Sequence, residues 1–157
     1  MIGVKVNHAD VVRRKMERYA AELRDTHKPN RMIAIELYGF VMKNFQTEGG
    51  MTEAGAWEPL ADSTIESKER RGYRMIRQNT GALRASFDPF SDWKQAGVGA
   101  KQILGDDERD PDMAEFHEYG TVKLPARPML PTQEQALAMG MRVYDWFVGD
   151  ARKRSGL

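Results

Sequence analysis

The chain has 157 residues, 41% of them hydrophobic and 30% charged, with 24 Lys and Arg against 23 Asp and Glu, a net charge of +1, and no cysteine. That length suits one folding unit, able to bury about 68–70% of its unfolded surface without metals or disulfides. The near-neutral balance argues against a dedicated nucleic-acid binder, the missing cysteines exclude disulfides, thiolate nucleophiles and zinc ribbons, and no apolar run nears the roughly 18 residues of a membrane span. The opening Met1–Val6 has neither the apolar region nor the cleavage site of a signal peptide, so use inside a reducing cytoplasm is expected. Charge is nonetheless uneven: Lys68–Arg77 is basic, Asp106–Asp112 acidic and Arg152–Arg154 basic again. Such blocks suit contacts between copies of one chain, with a solvated surface as the plainer account.

In chain order, Ile2–Val6 alternates as a short strand does. Asn7 then caps a helix whose apolar positions Val12, Met16, Tyr19, Ala20 and Leu23 step by three and four, ending near His27 before Pro29. Asn30 is read as the cap of a second helix, with Met32, Ile35, Tyr38, Met42 and Phe45 on its apolar stripe, Leu37 and Val41 widening it and Gly49-Gly50 ending it. The short connection around Lys28–Asn30 predicts an antiparallel helical hairpin. Met51–Ala61 reads as a loop pinned by Trp57, and Asp62 or Ser63 caps a short charged helix ended by Gly72. From Gly81 on, short apolar stretches broken by Asp88-Pro89, Gly97, Gly99 and Gly105 predict two or three antiparallel strands, followed by a short helix over 111–119 that Gly120 ends. Pro125, Pro128 and Pro131 exclude a central strand nearby. Thr132 and Gln135 form a capping box for a last helix with Leu137, Met141, Tyr144 and Val148 on one face, and Trp146 and Phe147 beside them. The expected fold class is α+β in a single domain over 1–157: a strand and antiparallel helix pair over 1–48, a small antiparallel sheet region over 57–130, and a C-terminal helix over 132–150.

Catalytic chemistry finds little footing. His8, His27 and His117 stand in no metal-gripping pair. His117-Glu118 is half of an acid–base site at most, and a packing or surface role is several-fold better supported. Gly97-Val98-Gly99 lacks the rest of a phosphate loop. Counted as an EF-hand from Asp106, the acidic stretch puts Pro111 where glycine is needed and His117 where glutamate is needed. Thr80 and Ser86 lack a nucleophile-elbow context. No catalytic, metal or cofactor site is expected. For nucleic acid, Arg70, Arg71, Tyr73, Arg74 and Arg77 interleave one aromatic with cations, the pattern of a backbone-tracking groove, against the plainer account of a charged surface segment.

What remains is an ordered constellation: Trp57-Glu58-Pro59-Leu60, Thr64 and Lys68, Thr80-Gly81-Ala82-Leu83-Arg84-Ala85-Ser86, Val98-Gly99, Phe116-His117-Glu118-Tyr119-Gly120-Thr121, and Pro125-Ala126-Arg127-Pro128-Met129-Leu130. Over 57–130 it resembles the phage virion morphogenesis family, which includes the tail-completion proteins of Mu-like and related phages. The family's hallmarks are W-x-P-L, T-G-x-L-R-x-S, H-E-x-G-T and P-A-R-P-F-L segments. Met129 stands where phenylalanine is usual, and an acidic insert precedes His117. The resemblance implies a structural virion protein at the neck or tail, assembled in the host cytoplasm. It also implies a homo-oligomeric ring of about six copies, or about twelve at the portal side, that joins other neck, connector or tail proteins and has non-specific contact with DNA in the lumen. The rival is a DNA-binding module using Arg70–Arg77.

Read on their own chemistry, Gly81 and Gly120 suit positive-φ turns, Leu83 an inward position, and Pro125 and Pro128 an extended presentation of Arg127. Arg84 and Arg127 are candidates for a bidentate pair with Glu118, within or across subunits. With Arg70, Arg71, Tyr73, Arg74 and Arg77, these two arginines are the candidate interface or lumen residues.

Overall fold

The structure, a computed structural model, describes residues 8–72, 82–100, 113–122 and 125–157. The strand expected over 2–6, the acidic stretch 106–112, and Tyr73, Arg74, Arg77 and Gly81 lie outside them. The described elements are α1 (His8–Arg24), α2 (His27–Gln46), α3 (Asp62–Arg70), α4 (Ala82–Ala85), β1 (Phe87–Ser91), β2 (Ala96–Ala100), α5 (Met113–Tyr119) and α6 (Gln133–Ser155). This is the α+β class: helices at the N-terminus, one two-stranded antiparallel sheet, and a C-terminal helix, in a single domain.

The central element is α2, which packs against both strands on one side and α6 on the other. Two apolar clusters result. Val41 and Phe45 join Trp57, Phe87 and Met129 in the first, while Ile33 and Leu37 meet Val143 in the second. Burial on two sides explains why the stripe read from sequence is rotated: Ile33, Leu37, Val41 and Phe45 are buried, whereas Ile35 is exposed.

Asn30 is also not the cap. The helix begins at His27 after Thr26, and Asn30 sits buried in its first turn, where its side chain donates to the Asp92 carbonyl (2.8 Å) and accepts from the Tyr144 hydroxyl (2.9 Å). Pro29 is tolerated there because first-turn amides have no helical partner. For α3, Ala61 occupies the N-cap without a side-chain bond, and Asp62 is the first helical residue, where its charge favours the helix N-terminus.

Both N-terminal helices take α6 as their antiparallel neighbour. From Lys15 with Gly156, through Glu22 with Arg154, Lys28 with Asp150, Asn30 with Tyr144 and Glu36 with Arg142, to Met51 with Gln135, partners on α6 descend as the chain ascends. The helices α1 and α2, joined only through Asp25 and Thr26, thus follow one another along α6, and the expected antiparallel packing is made by each with α6 and not between the two.

The strands pair from Phe87 with Ala100 to Ser91 with Ala96. Asp88-Pro89, read as a break, lies inside β1, with Pro89 opposite Val98; each strand of a two-stranded sheet has one unpaired edge, where a proline is tolerated. Leu83 and Ala85 belong to α4 and not to a strand. The hairpin is closed by Asp92, whose carboxylate accepts from the Lys94 and Gln95 amides at 2.6 and 2.9 Å; these bonds, the Lys94 amide foremost, hold it below the usual carboxylate range.

The capping box of α6 is present as read: the Gln135 amide donates to Thr132 Oγ1 (3.2 Å) and the Thr132 amide to Gln135 Oε1 (3.0 Å). The apolar face is not as read. Leu137 and Met141 are 66% and 56% exposed, and burial falls instead on Val143, Phe147 and Ala151. Phe147→Ala is expected to lower the unfolding free energy by about 3–5 kcal/mol and Leu137→Ala by no more than about 0.5 kcal/mol, measured by urea titration. Equal costs would restore the face read from sequence.

Candidate functional site

The motif segments converge on the end of α2. Trp57 is buried, its ring edge-on to Phe45 at 5.7 Å between centroids, and its Nε1–H donates to the Pro128 carbonyl at 2.9 Å. The loop that carries it is folded back by the Trp57 amide, which donates to the Glu48 carbonyl at 2.6 Å. Gly49 makes this approach possible: its φ is +97°, and a Cβ there would stand 2.5 Å from the Trp57 ring. Leu60, Leu83 and Leu130, from three different motif segments, pack around the same cluster, and Met129 lies inside it.

The clasp itself is polar. Asn44, fully buried, donates through Nδ2 to the Pro128 and Met129 carbonyls (3.0 and 3.3 Å) and accepts the Met51 amide on Oδ1 (3.1 Å). From the other side, Glu118 Oε2 accepts the Met129 and Leu130 amides at 2.6 and 3.3 Å. The segment 127–130 is thereby gripped through its backbone, which explains how a stretch flanked by prolines and without sheet partners is fixed. Asn44 was passed over in the sequence; the available signal was an amide at the helix-spaced position between Val41 and Phe45.

Arg127 is buried, but its partner is not Glu118. Its Nη2 donates to the Glu58 carbonyl (2.9 Å), its amide to the His117 carbonyl (2.9 Å), and Nε has no hydrogen-bond partner. Nor does Arg84, half-buried on α4, form an ion pair with Glu118; among the described residues the Glu118 carboxylate serves backbone amides instead. Beside His117, Glu118 Oε2 is engaged by the two amides, and among the described residues His117 Nδ1 is buried with no hydrogen-bond partner. Gly120 takes the expected positive φ, +76°. Arg70 and Arg71 are exposed at the end of α3 and fold back onto it, Arg70 to Glu66 and Arg71 to Ser67. Among the described residues, no three His, Cys, Asp or Glu side chains are grouped to hold a metal ion, and no helix is long and apolar enough to cross a membrane.

Beside the clasp lies a cavity of about 310 Å³, bordered by Phe87, Ala114, Glu115, Glu118, Tyr119 and Met129. Lys68 is buried near Arg71, Arg127 and Glu48, and its pKa lies below 10.5: burial is the main cause, Glu48 opposes it, and Arg71 and Arg127 add to it. Compared with family models, curated proteins and solved structures, the chain matches none of them.

Two outcomes follow. Asn44→Ala takes the side-chain partner from the Met129 carbonyl and the Met51 amide and leaves the Pro128 carbonyl to Trp57 alone, and is expected to cost about 2–3 kcal/mol of unfolding free energy by urea titration. For Lys68, between its lowered folded value and 10.5 the unfolded chain holds more protons than the folded one, so stability rises with pH across that window. The unfolding free energy of the native chain minus that of Lys68→Met therefore shifts in favour of the native chain as the pH is raised toward 10.5; a constant difference would contradict the shift.

Proposed function

We propose that the chain is a structural component of a tailed-phage head-to-tail junction, a neck or tail-completion protein that acts by assembling into a ring and joining other neck, connector or tail proteins. The observation that carries this reading is the convergence of the motif segments on one buried clasp. Residues spaced over 57–130 meet around Asn44, Phe45 and Trp57 through main-chain bonds and apolar contacts. A set of this kind specifies a shape. Its polar members are engaged in holding backbone, Glu118 on two amides and Arg127 on the Glu58 carbonyl. Large apolar side chains meanwhile stand on the surface of α1 and α6, as a protein that works through contacts with other chains requires.

The DNA-binding alternative draws support from the exposure of Arg70 and Arg71. Against it stand the net charge of +1 and the return of both side chains to their own helix. The two readings separate in solution. Light scattering of the purified protein, alone and with other neck components, is expected to give about six times the 17.9 kDa chain mass. A monomer in every mixture would overturn the proposal. DNA affinity that falls steeply with salt, with a slope reduced by Arg70→Ala and Arg71→Ala, would favour the alternative.

A further inference from the structure

Among the described residues of α1 none is buried, although the helix carries a full apolar stripe. Lys15 bonds the Gly156 carbonyl at the very end of α6 (2.6 Å). On this stripe Val12 is 56% and Met16 51% exposed. A helix of this length is marginal in water without tertiary burial, so an uncovered stripe calls for a partner.

The second uncovered surface is on α6. Leu137, Met141, Tyr144 and Val148 recur at spacings of four, three and four, the seam of a two-helix contact. Leu137, Met141 and Val148 are exposed, while Tyr144 is half-buried. The two surfaces match in spacing, since Val12 and Met16 are four apart, as are Leu137 and Met141. They also match in charge. Residues 11–18 carry Arg13, Arg14, Lys15 and Arg18 against Glu17, whereas residues 133–145 carry Glu134 and Asp145 against Arg142.

The two cannot meet within one chain: Met141 is about 20 Å of helix away from the α6 end that Lys15 caps. We infer that the exposed Val12–Met16 face of α1 in one copy docks on the Leu137–Met141–Val148 seam of α6 in a second copy. Two different patches meeting head to tail form a heterologous contact, which repeats around a ring when the rotation closes. This deepens the proposed function, resting on its assembly but naming the contact.

A chain without cysteine permits a direct test. Met16→Cys, Met141→Cys and the double variant are purified and oxidised, then separated under denaturing, non-reducing conditions, with the native mass measured in parallel. The expected result is a covalent ladder of trimers and longer species from the double variant, heterodimers from the mixed single variants, and monomers from each single variant alone. An intramolecular bridge is excluded because a disulfide needs Cα atoms within about 7 Å. Dimers from either single variant would mean that like patches meet, and would overturn the inference. No ladder from an oligomeric double variant would also overturn it while leaving the ring reading intact. A native chain that is oligomeric by mass while the double variant gives no ladder would overturn the contact alone, and a native chain that is monomeric by mass both alone and with other neck components would overturn the contact and the ring reading together.

Discussion

Asn44 sits where water cannot reach it, and the three backbone groups it satisfies come from segments far apart in sequence: Met51 on one side, Pro128 and Met129 on the other. A buried amide in this position is costly unless every bond is made, so the geometry around it is fixed to within hydrogen-bond tolerance. The loop carrying Trp57 and the proline-flanked 125–130 segment inherit that precision. Neither has sheet or helix partners to order it. They are ordered because α2 offers one side chain with the correct donors and acceptor, and because Trp57 and Glu118 complete the bonding from flanking directions.

This arrangement explains what the motif residues have in common. Trp57, Glu118, Arg127 and Met129 differ in chemistry, yet each fixes the path of the chain near the end of α2: Trp57 by an indole bond and an aromatic contact, Glu118 by two amides, Arg127 by a carbonyl, Met129 by filling the core. Their distribution along the sequence reflects the topology of one joint. The exposed apolar side chains of α1 and α6 lie away from that joint, on helices whose remaining faces are already committed to the body. The result is a buried joint with exposed apolar side chains on the helices at its margin.

The sequence was most informative where local chemistry decides. The capping box at Thr132 and Gln135, the turn at Gly120, the short helix before it and the anchoring of the loop by Trp57 all depend on neighbours within a few residues or on one large side chain. It was least informative about which face of a helix is buried. The α2 and α6 sequences carry apolar residues on more than one face, so periodicity admits several stripes; the choice among them depends on where the strands and the other helix lie. The same limit applies to Asn30 and Asn44. A cap and a core hub use the same residue type, and only tertiary partners tell them apart. For Arg127, the presence of Glu118 nearby suggested an ion pair, whereas two adjacent backbone amides made a closer claim on that carboxylate.

The way the N-terminal helices follow α6 bears on how the molecule is made. Lys15 and Gly156 are 141 positions apart, and Asn30 and Tyr144 are 114 apart. Contacts of such separation form slowly, and a ribosome must release the last helix before the first two can settle. An unfinished chain therefore has no completed body on which α1 and α2 can settle. The body is completed only when the last helix is in place, and a fragment without α6 lacks the surface against which α1 and α2 settle.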